Sequence, residues 1–84
     1  MQQLKNSNGE DLYIFTVTRS DRIEPLVLIS TWDKTSLWFK NKIEETPTIK
    51  LLNKHIQEDY MKATLYCKTY FMYVSVKPAY ITYL

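Results

Sequence analysis

The hydrophobic stretch from Leu12 to Arg19 is rich in β-branched and aromatic residues and predicts a strand. Tyr13, Phe15 and Val17 share one face, and Leu12, Ile14, Thr16 and Thr18 the other. A polar loop over 20–25 leads into a returning strand over Leu26 to Trp32. This second strand is apolar on both faces, where a half-buried strand would alternate. Its second face is therefore expected to be covered, or to meet a partner. Asp33 is a suitable N-cap for a helix with Lys34 to Glu45 as its body. Phe39 and Ile43 are spaced i, i+4 on this helix, and Trp38 falls away from them, at the sheet edge or standing in solvent as an anchor. Thr46 and Pro47 then predict a second helix, with Ile49, Leu52, Ile56 and Tyr60 as its core stripe and Lys54–Glu58 as an i, i+4 pair.

From Met61 the period returns to two, with Met61, Ala63, Leu65 and Cys67 on one face and Lys62, Thr64, Tyr66 and Lys68 on the other. Beyond Lys68 the aliphatic parity flips to Met72, Val74 and Val76. One residue of offset turns every side chain of a strand over, so the flip needs a bulge or a hairpin at Lys68-Thr69. Two strands are preferred over one of about fifteen residues, because strands usually run ~5–6. Lys77-Pro78 breaks pairing, and Ala79 to Leu84 forms a last short edge strand. Residues 1–11 read as a polar leader with a turn at Asn8-Gly9, and pairing of Leu4 with a later strand stays open. The predicted fold is α+β: one domain over residues 1–84, a two-layer, mostly antiparallel sheet with two helices on one face, in the order β-β-α-α-β-(β)-β.

Composition narrows the function. With 84 residues the chain builds a single modest core. At 45% hydrophobic, 24% charged and 14% aromatic residues it is not a disordered tail. No apolar run approaches the ~20 residues of a membrane span, so no membrane partner is expected. One cysteine makes no internal disulfide, and a reducing cytosol is the default compartment. Cys67 and His55 are the only soft metal ligands, too few for a zinc site, and neither a metal nor a cofactor is expected. Cys67 reads as a small buried hydrophobe, His55 flanks the predicted helix stripe, and the adjacent acidic pairs point apart. The chain is therefore read as non-enzymatic.

Charge is unevenly placed. Residues 1–33 carry three basic and five acidic side chains, and residues 34–84 carry eight and four. Residues 60–84 hold Lys62, Lys68 and Lys77, no acid, and six of the seven tyrosines. Tyr66, Lys68 and Tyr70, with Lys62 and Trp38, are the candidate partner-binding residues, since Tyr and Trp are the usual interface anchors. Aromatics interleaved with cations on an open sheet also hold single-stranded RNA or DNA, which is the alternative function. Tyr80, Ile81 and Tyr83 are the candidate edge for pairing with a second copy in a homodimer.

Residues written mostly with A and T (Phe, Tyr, Met, Ile, Asn, Lys) number 33, and Gly, Ala, Arg and Pro together number 8. This points to an AT-rich genome. In size and composition the chain resembles the small accessory proteins that large virulent phages make to take over or disarm their hosts. That resemblance implies an inhibitor acting in the host cytoplasm on a host protein, such as a defence or nucleic-acid-processing enzyme.

Overall fold

A computed structural model describes residues 2–81. Strand β1 (Gln2–Gln3) is followed by β2 (Leu12–Arg19), β3 (Leu26–Thr31), helix α1 (Trp32–Glu45), β4 (Lys50–Gln57), β5 (Tyr60–Tyr66), β6 (Phe71–Pro78) and β7 (Tyr80–Ile81). The fold is α+β. Five strands form an antiparallel sheet in the order β3-β2-β6-β5-β4, and β1 and β7 form a separate two-stranded sheet.

The second predicted helix is absent from this fold: Lys50–Gln57 is an edge strand, and α1 is the one helix among the described residues. Pro47 explains the difference. The Ile49 amide donates to the Thr46 carbonyl at 2.9 Å, closing a turn with Pro47 in its second position. A proline there and a proline at the first position of a helix have the same φ of about −65°, so the residue cannot distinguish the two. The hydrophobic spacing of Ile49, Leu52 and Ile56 was equally ambiguous, because a bulge between Leu51 and Asn53 breaks the period of two in β4.

Other boundaries move little. Helix α1 begins at Trp32, so the returning strand ends at Thr31. Thr31 rather than Asp33 is the N-cap, its Oγ1 accepting from the Lys34 amide at 3.4 Å, and Asp33 lies in the first turn, where its charge suits the helix dipole. The parity flip is a hairpin turn at Lys68-Thr69. The Cys67 amide donates to the Tyr70 carbonyl at 2.8 Å, and Lys68 turns the chain with φ of 68°. Lys77 and Pro78 do not break pairing: they end β6 opposite Ile14 and Tyr13. The leader folds back on a turn at Gly9 (φ 76°), and its Leu4 amide donates to the Ala79 carbonyl at 2.8 Å.

The core lies between the sheet and α1. Phe15, Val17, Met61, Ala63, Leu65, Met72, Val74 and Val76 point inward from β2, β5 and β6, and Phe39 points down from α1. Trp38 packs edge-on against Phe15 (4.9 Å between centroids) and Trp32 against Tyr13 (5.2 Å). A helix is about 10–12 Å across, and five strands at ~4.8 Å spacing span about 19 Å. One helix therefore leaves the flanks of the inner face uncovered and does nothing for the outer face.

Candidate interaction surface

Cross-strand register places the outward side chains in rows. Phe71, Tyr66 and Lys50 form one, and Thr18, Tyr73, Thr64 and Asn53 the next. Val27, Thr16, Ser75, Lys62 and His55 follow, and then Ile29, Ile14 and Lys77. No described element covers these rows. Tyr66, Phe71 and Tyr73 are each 37–46% exposed. They make a continuous aromatic ladder, with centroids 5.4 Å apart for Tyr66–Phe71 and 6.4 Å for the stacked Phe71–Tyr73 pair.

None of the five strands contains Asp or Glu; their charges are Arg19, Lys50, Lys54, Lys62 and Lys77. Of these, Lys50, Lys62 and Lys77 stand on the outer face, and the acidic side chains sit in turns, in the loops and on α1, so the strands bring cations and no acid to that face. At the opposite corner from the ladder, Val27 and Ile29 of β3 lie beside Ile14 and continue the same face as an aliphatic patch.

Of the residues singled out in the sequence, Tyr66 and Lys62 lie on this face. Lys68 sits at its rim on the tip of the β5–β6 turn, where its carbonyl accepts from the Tyr66 hydroxyl at 2.8 Å. Tyr70 does not join them. It is half-buried against the core, and the Arg19 guanidinium lies 3.8 Å from its ring centroid. Arg19 in turn makes two hydrogen bonds to Asp21, at 2.9 and 2.7 Å. That pairing holds the Asp21 carboxyl below its ordinary range and raises the guanidinium above its own. Trp38 is half-buried on the inner side, with the Lys42 ammonium 5.7 Å from its ring, and Leu37 is the exposed residue of that helix turn. Tyr80 and Ile81 pair with Gln3 and Gln2, and Tyr83 lies outside the described residues.

Phe71 and Tyr73 take the places that Tyr70 was expected to fill. The signal was the parity flip itself. Once the chain turns at Lys68, the odd-numbered aromatics of β6 face the same way as the even-numbered Tyr66 and Lys62 of β5.

Elsewhere, a groove of about 460 Å³ runs between α1 and the β4–β5 hairpin, lined by Phe39, Ile43, Ile56 and Met61 with Lys40 and Lys54 at its rim. Cys67 is buried just past the end of β5, while His55 is exposed on the outer face opposite Lys62, so the two do not meet. Among the described residues no group of three or more His, Cys, Asp or Glu is placed to hold a metal ion, and no helix is long and apolar enough to cross a membrane. No family model, curated protein or solved structure matches the chain.

Proposed function

We propose that this chain is a non-enzymatic interaction protein whose uncovered sheet face docks on an acidic surface of another protein. One observation carries the proposal: the aromatic ladder, the lysines and the aliphatic patch of Val27, Ile29 and Ile14 share one face that no carboxylate interrupts. Aromatic anchors surrounded by a polar rim are the usual centre of a protein interface. The aliphatic patch offers nothing to a phosphate backbone but packs well against protein. The AT-rich composition and small size support a phage origin, with a host protein bound in the host cytoplasm and inhibited or modulated there. Single-stranded RNA or DNA is the second reading, favoured by the absence of acid from all five strands, because phosphate attraction and base stacking need just such a surface.

The test is capture from a bacterial lysate by the tagged chain, with and without nuclease, comparing wild type with a Tyr66→Ala/Tyr73→Ala variant and a Leu37→Ala control. The expected result is a stoichiometric protein band that survives nuclease and persists with the control. The double variant should lose it, since two anchors at about 1–2 kcal/mol each lower affinity roughly a hundredfold. Nucleic acid in the untreated sample, with no protein after digestion, would establish the second reading instead. Undiminished capture by a folded double variant would exclude this face.

A further inference from the structure

The two edges of the main sheet are built differently. Edge strand β4 carries Lys50, Lys54 and His55 and is distorted by its bulge, the usual means by which an edge is kept from pairing with other chains. Edge strand β3 has neither protection. Its sequence is Leu-Val-Leu-Ile-Ser-Thr, without charge, proline or bulge, and Leu26, Val27, Leu28 and Ile29 are all 47–58% exposed. An uncharged, unbulged aliphatic edge is a template for another strand.

We propose that β3 pairs with β3 of a second copy of this chain, antiparallel about a two-fold axis normal to the sheet, joining two five-stranded sheets into one of ten. The occupant follows from the strand's own symmetry. Such an axis keeps every side chain on its own face, so some residue must lie opposite its own copy. Leu28 serves best, because its pairs over residues 26–30 all lie within β3. Centring on Val27 would leave only residues 26–28 paired within the strand, and centring on Ile29 would draw in Thr31, buried as the cap of α1, and bring Leu26 against Trp32, already helical. With Leu28 central, Val27 of each copy faces Ile29 of the other on the outer face, and Leu28 meets Leu28 on the inner face beside Trp38. Every outer pair is aliphatic. No like charges oppose each other within the strand, whereas self-pairing of β4 would bring lysines together. The pairing also merges the Val27–Ile29–Ile14 patches of the two copies at the axis and leaves both aromatic ladders open. It is thus independent of what the ladder binds.

The register supplies its own test. The mass of the wild-type chain in solution, measured by light scattering over a wide range of micromolar concentration, should reach twice 10.1 kDa. Val27→Lys alone and Ile29→Glu alone should each be monomeric, because each puts a charge against an aliphatic side chain at both outer pairs. Mixing the two variants should restore the dimer, since one outer pair becomes Lys opposite Glu and the other remains the native Ile29–Val27. Leu52→Lys on the β4 edge should leave the dimer intact. A wild-type chain that stays monomeric would overturn the proposal, as would a dimer that Leu52→Lys splits or a mixture that fails to reassociate when both variants are folded by circular dichroism.

Discussion

Lys68 shows how one backbone angle decides what the candidate face contains. A residue with a Cβ in the left-handed region costs roughly 1–2 kcal/mol, and Lys68 adopts φ of 68° without being Gly, Asn or Asp. The turn it makes is closed by the Cys67–Tyr70 hydrogen bond and by the Tyr66 hydroxyl on the Lys68 carbonyl. These contacts offset the strain and set the register that brings Phe71 beside Tyr66. Glycine reaches the same φ without penalty, at the expense of greater freedom in the unfolded chain. Lys68→Gly is therefore expected to stabilise the protein by up to about 1 kcal/mol, seen as a higher denaturant midpoint. Because the ladder's register is unchanged, partner capture should fall only by the contribution of one rim charge. A lower midpoint would mean that the side chain of Lys68, rather than its backbone, holds the turn.

At the scale of elements, strands were legible wherever side chains alternate against a core. β2 was predicted with its observed bounds, and the inward residues of β5 and β6 were identified together with the turn between them. The candidate face was legible in part: Tyr66 and Lys62 share one outward face as expected, but Tyr70 and Trp38 were assigned without the turn geometry and the helix rotation that carry them toward the core. β4 was not legible, because all of its residues are exposed and burial leaves no period to read. It is held by backbone pairing to β5, and tertiary pairing overrides helical propensity. This difference is measurable by amide hydrogen exchange. In a strand paired on one side only, alternate amides over residues 50–57, those aimed at β5, should be protected and the others should exchange freely, with the alternation interrupted at the bulge. A helix would protect every amide after its first turn. Uniform protection across this segment would restore the two-helix architecture and remove the edge that β4 forms.

For the whole molecule the decisive fact is that, among the described residues, one helix and a five-stranded sheet make a core on one side of that sheet only. Stability at ~0.05–0.15 kcal/mol per residue amounts to about 4–13 kcal/mol for a chain of this length, so any further burial matters. Pairing at β3 is a binding equilibrium of the folded state alone, and such binding raises apparent stability with the concentration of the partner, here the protein itself. The unfolding temperature of the wild-type chain should therefore rise with protein concentration. That of Val27→Lys should be flat, because its edge no longer pairs. Val27 is half-exposed and packs no core, so in dilute solution, where the wild-type chain is also monomeric, the two should agree to within about 1 kcal/mol, the range of strand propensities. Leu65→Ala provides the contrast. Leu65 is wholly buried, and its truncation should cost about 2–5 kcal/mol at every concentration while the slope with concentration persists. Melting curves followed by circular dichroism over a concentration series distinguish the two effects: a core change displaces the line, and an edge change removes its slope. A wild-type melting temperature independent of concentration would mean that the aliphatic edge of β3 is left for a different protein to cover.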